Sequence, residues 1–148
     1  MSSDLVWTLI NKHNAFKVKS NGITLSKEAG NVTNTHSYKA SGIANVQTVG
    51  VTTTSTQKKG FTKTSVVATL SNGKKGTRVA NTTHNYGLRS KVNKTAQADN
   101  ALDQLTTQSY YRADLTKFAK KRAALLNKSL RVKATGYKKK QRRRNNKN

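Results

Sequence analysis

Phe16-Lys17-Val18-Lys19-Ser20-Asn21-Gly22-Ile23-Thr24-Leu25 is the stretch that decides the class of fold. Apolar and polar residues alternate on either side of Asn21-Gly22, a pair that tolerates the positive φ angles of a type I′ turn, so a two-stranded antiparallel hairpin is predicted. Toward the N-terminus, Ser3 and Asp4 suit a helix start, where a short polar side chain caps free amides and a carboxylate meets the positive end of the helix dipole. Leu5, Val6, Leu9 and Ile10 then offer one apolar face, ending near residues 11–14. Toward the C-terminus, strands are expected at Ser37–Ile43, Val46–Val51 and Thr64–Leu70, the last with Val66, Ala68 and Leu70 on one face because strand side chains alternate. Thr52–Lys59 is threonine-rich and without pattern, and reads as a surface loop.

Helical spacing takes over after Lys94. Ala96, Ala98, Ala101, Leu102 and Leu105 predict a helix near Thr95–Thr107, with Asp99 and Asp103 one turn apart on its polar side. A second helix is expected near Ala113–Ser129, with Leu115, Phe118, Ala119, Leu125 and Leu126 toward a core. The fold class is therefore α+β: a short N-terminal helix and small antiparallel β-sheet, then two helices and an extended basic C-terminal tail. Residues 1–130 read as one small domain carrying a basic loop at 71–93, and residues 131–148 as a basic extension.

Charge says what such a chain needs. It has 29 Lys and Arg against 5 Asp and Glu, a net charge of +24 over 148 residues. Like charges confined to one small fold repel, so a polyanionic partner is implied. The charge is concentrated late: residues 112–148 hold fifteen of the basic side chains and one acid. Lys117, Lys121 and Lys128 fall on one stripe of the second helix, suited to a phosphate backbone, with Lys120 beside them. Arg131, Lys133, Lys138, Lys139, Lys140, Arg142, Arg143 and Arg144 continue the series in a tail that reads as a nucleic-acid arm or import signal. Lys74, Lys75, Arg78 and Arg89 form a second group in the 71–93 loop. Tyr110, Tyr111 and Tyr137 lie among basic residues, where a ring could stack on an unpaired base.

Catalytic chemistry finds no footing. Cysteine is absent, and His13, His36 and His84 are too far apart in sequence for a metal pair, each reading as a surface or RNA-facing side chain. The carboxylates form no convincing acid–base pair, and Ser71-Asn72-Gly73-Lys74-Lys75-Gly76 lacks the spacing of a phosphate-binding P-loop. No enzyme activity, cofactor, metal or small-molecule substrate is expected. No secretory leader is expected, and no apolar run is long enough to span a bilayer. Zinc-finger, RNP-type and KH-type signatures are also missing, leaving recognition by shape and phosphate.

Leu5-Val6-Trp7 followed by Phe16-Lys17-Val18-Lys19, then Thr48-Val49-Gly50-Val51, and finally Tyr111-Arg112-Ala113-Asp114-Leu115 leading into Lys121-Arg122-Ala123, resembles the eukaryote-specific large-subunit ribosomal protein twenty-eight family in order and spacing. The resemblance runs from Leu5 to about Lys133. It implies an α+β portion followed by helices and a basic extension lying on large-subunit ribosomal RNA beside neighbouring ribosomal proteins, in cytosolic ribosomes after nucleolar passage. Ala113 stands where the family pattern has proline, a residue that favours the first helical turn. A nucleolar ribosome-assembly factor similar over its N-terminal domain, and a basic chromatin or DNA-binding protein, are the alternative readings.

Overall fold

A computed structural model describes residues 2–58, 61–71, 83–88 and 95–135. The hairpin forms as predicted: β1 (Lys17–Ser20) pairs antiparallel with β2 (Ile23–Ser26), Ser20 opposite Ile23. Asn21 and Gly22, at φ 48° and 75°, make the turn. Helix α1 (Ser3–Lys12) precedes it, with the Ser2 hydroxyl accepting from the Asp4 amide at 3.3 Å. Its inward side is set by Trp7, whose ring packs on His36 and Tyr38 at centroid distances of 5.0 and 5.7 Å. Val6 and Ile10 follow Trp7 to half-burial, whereas Leu5 and Leu9 are exposed. The expected apolar face is therefore divided. His36 is likewise not a free surface residue, since it is half-buried and its Nε2 lies 3.0 Å from the Asn11 carbonyl oxygen.

The main sheet is a second, separate unit of order β3-β4-β5, all antiparallel: β3 (Thr48–Lys58), β4 (Phe61–Ser71) and β5 (Thr83–Leu88). Alternation places Val49 and Val51, then Val66, Ala68 and Leu70, on one face, and all five are buried. Onto that face pack α2 (Thr95–Asp103), contributing Ala98 and Leu102, and α3 (Thr116–Thr135), contributing Ala119 and Ala123, with Leu115 added from the turn just before α3. Alanines at the contact let helix and sheet approach closely, in keeping with a core of few large side chains.

Four sequence expectations change. Ser37–Ile43 is not a strand but carries a 3-10 turn at Tyr38–Ala40, because the Ser41 hydroxyl accepts from the Ile43 and Ala44 amides and competes with sheet pairing. Thr52–Lys59 is not a loop: through Lys58 it is the outer half of β3, where β-branched threonines suit an extended ribbon exposed on both faces. Within the 71–93 segment, Thr83–Leu88 is a strand whose pairing with β4 needs no apolar period of its own. The helix predicted near Thr95–Thr107 ends at Asp103 and continues as a π turn, Gln104–Gln108.

Candidate nucleic-acid interface

Helix α3 carries the predicted lysine stripe, and three residues before it fix its start. The Tyr111 hydroxyl accepts from the Thr48 amide at 3.1 Å and shares its proton between the carbonyls of Thr48 and Ser71. Burial pushes this hydroxyl's pKa up, against the stabilising Thr48 backbone contact. Arg112 donates to the Lys39 carbonyl at 2.7 Å and the Gln47 carbonyl at 3.0 Å, and its Nε lies 3.1 Å from the Asp114 carboxylate. Burial alone would raise the Asp114 pKa, but the hydrogen bond and charge of Arg112, with Lys39 at 3.6 Å, hold it below the usual value. Ala113 opens a 3-10 turn to Leu115, and α3 begins at Thr116.

Helical phase then sorts the side chains. Ala119 and Ala123 are buried and Leu126 and Leu130 half-buried along one line. Lys117, Lys121 and Lys128 are exposed on the opposite side. At 1.5 Å per residue they span roughly 16 Å of helix. Phe118 and Leu125, expected in the core, lie about 100° off the buried line and are 45 % and 66 % exposed, with Val132 continuing their row. The lysine stripe thus runs beside an exposed apolar one.

The other predicted basic residues separate into three groups. Lys120 points to α2, its Nζ 2.6 Å from the Asp103 carboxylate, so Asp103 serves as a helix–helix tie rather than an idle surface acid. Arg131 is exposed in the last turns of α3, which also contain Lys133. Lys74, Lys75, Arg78, Arg89, Lys138, Lys139, Lys140, Arg142, Arg143 and Arg144 lie outside the described residues. Two arginines that sequence reasoning left without a role are structural: Arg112, above, and Arg122, whose Nε donates to the Val51 carbonyl at 3.0 Å. The Arg112–Asp114 spacing was a visible signal for the first, whereas nothing local pointed to the second.

Among the described residues, no helix is long and apolar enough to cross a membrane, and no group of three His, Cys, Asp or Glu side chains could hold a metal ion. A family model for the Ribosomal L28e protein family matches residues 5–129. The large ribosomal subunit protein eL28 of Dictyostelium discoideum is 53 % identical over 51 residues, a match that covers 34 % of this chain and 39 % of that relative. Matched across its sheet, α2, the clamp at Tyr111–Asp114 and the greater part of α3, the chain belongs to the Ribosomal L28e protein family.

Proposed function

We propose that this chain is a structural constituent of the large ribosomal subunit that binds folded ribosomal RNA through phosphate contacts and catalyses nothing. The observation that carries the reading is the exposed Lys117–Lys121–Lys128 stripe on a helix clamped to the sheet, in a chain of net charge +24. A helix held in place presents its lysines at set spacing, which favours contact with a folded RNA backbone. Residues 1–130 act as the anchoring α+β domain. The Lys74, Lys75, Arg78 and Arg89 group of the 71–93 segment, and the 131–148 extension with its Lys138–Arg144 block, add further phosphate contacts. Neighbouring large-subunit proteins are the protein partners, and cytosolic ribosomes the location, reached through the nucleolus with the same basic tail acting in import.

Sucrose-gradient fractionation of cell extract after a high-salt wash tests this reading. Comigration with large subunits is expected. Recovery in chromatin would assign the charge to DNA instead, and recovery only in pre-ribosomal nucleolar particles would make the chain an assembly factor.

A further inference from the structure

Tyr110 is 92 % exposed, more than any other large apolar side chain described. It is held there by left-handed backbone, φ 53°, which residues with a Cβ adopt only at a cost. Arg112 is left-handed too, at φ 49°, but its guanidinium gains two carbonyls and a carboxylate in return. Tyr110's side chain makes no hydrogen bond or ring contact with any described residue. The π turn at Gln104–Gln108 leads into it and the Tyr111 hydroxyl locks the residue after it, so the ring is displayed by a segment fixed on both sides.

Beside Tyr110 the core-side face of the sheet is left open. His84 and Tyr86 stand opposite Leu70 and Ala68 in the β4–β5 register and so share the face of the buried valines. Neither is buried, and Tyr86 is 40 % exposed. They line a cleft of about 230 Å³ with Leu70, Gln104, Leu105, Ser109 and Tyr111, the last two being the chain neighbours of Tyr110, whose own ring stands outside the cleft. The Ser109 and Tyr111 hydroxyls are bonded within the fold, so the rings of His84 and Tyr86 and the Gln104 amide are what the cleft offers a flat, hydrogen-bonding base. Of the three tyrosines singled out by sequence, Tyr111 is engaged inside the fold and Tyr137 lies outside the described residues.

We infer that Tyr110 is a stacking platform for an unpaired RNA base, with the cleft lined by His84 and Tyr86 receiving the adjoining part of that nucleotide. This rests on the RNA-binding reading above and adds single-stranded or looped RNA as the class of ligand. Fluorescence anisotropy of the full chain with a single-stranded oligoadenylate, and with a blunt RNA duplex of equal phosphate number, tests it. Tyr110→Ala is expected to weaken single-strand binding about ten-fold and to leave duplex affinity and the salt slope unchanged, while Tyr110→Phe retains wild-type binding. Tyr110→Gly, which relieves the positive φ, is expected to melt at or above the wild-type temperature with the same loss, so that unfolding cannot be the cause. Wild-type single-strand affinity in Tyr110→Ala, with duplex binding intact, overturns the inference and leaves the phosphate reading standing. Failure of the wild-type chain to bind either RNA overturns both. Unchanged RNA affinities together with release of Tyr110→Ala from washed large subunits would mark the ring as a protein contact, again overturning the inference.

Discussion

Gly42→Ala tests the packing of the segment before β3 against the Ala29–Gly30 segment that follows the hairpin. A Cβ on residue 42 would lie 1.9 Å from the Ala29 carbonyl oxygen and 3.0 Å from its carbon, both backbone atoms with no rotamer to escape into. One of the two segments must move by more than an ångström. That displacement breaks the Gly42 amide's 2.9 Å bond to Glu28, a carboxylate only 5 % exposed whose other partners are Asn14 and Ser41, each at 2.8 Å. Overpacking costs ~1–3 kcal/mol and loss of a hydrogen bond to a charged group ~1.5–3 kcal/mol. Because one movement causes both, the terms overlap, and about 3 kcal/mol is expected, a fall in Tm of roughly 6–12 °C. Gly87→Ala is the control, since its added Cβ meets nothing within 4 Å. Circular-dichroism melts should be run in sulfate buffer, whose anions offset the self-repulsion of the chain. A Gly42→Ala melt within a degree of the Gly87→Ala melt would refute the reasoning.

Replacing Lys117, Lys121 and Lys128 together by Gln should flatten the salt dependence of RNA binding by about 0.7–0.9 for each phosphate no longer neutralised and move stability by no more than about 0.5 kcal/mol per site, as read from binding isotherms at several salt concentrations and from melts. Tyr111→Phe leaves the Thr48 amide without its acceptor and should cost about 1–2 kcal/mol. The raised pKa of Tyr111 means that its stabilisation is complete below its ordinary value of 10.0 and is lost as pH rises through the folded value, so alkaline melts should converge for the two proteins. The lowered pKa of Asp114 has the opposite sign: stabilisation is present above the ordinary value of 3.8 and lost as pH falls through the folded one. Acid titration of Asp114→Asn should therefore show a shallower loss of stability than wild type, and parallel curves would argue against the Arg112–Asp114 clamp.

Much of the fold was legible where short-range chemistry decides it. Asn21-Gly22 announced the turn because few residue pairs accept two positive φ angles, and Val66, Ala68 and Leu70 announced a buried strand face by simple alternation. Misreadings fell where the deciding contact is distant in sequence. The outer half of β3 has no apolar face to display, and β5 exists by pairing with β4. Phe118 and Leu125 were assigned to the core on hydrophobicity, but the phase of α3 is set by Ala119 and Ala123 against the sheet. Of the candidate site, the shared exposure of Lys117, Lys121 and Lys128 on one side of α3 could be read from helical spacing, whereas the Lys120–Asp103 tie could not, because it joins two helices.

By itself, the sequence determined the class of fold, the family and the sign and placement of the charge, all properties of composition and of residues a few positions apart. Tertiary structure alone decided which cations remain exposed and which are engaged inside the molecule, and which tyrosine stands in solvent. Those outcomes depend on how two helices and a clamped turn seat against one sheet, and close packing permits one phase for each helix, which no local pattern encodes.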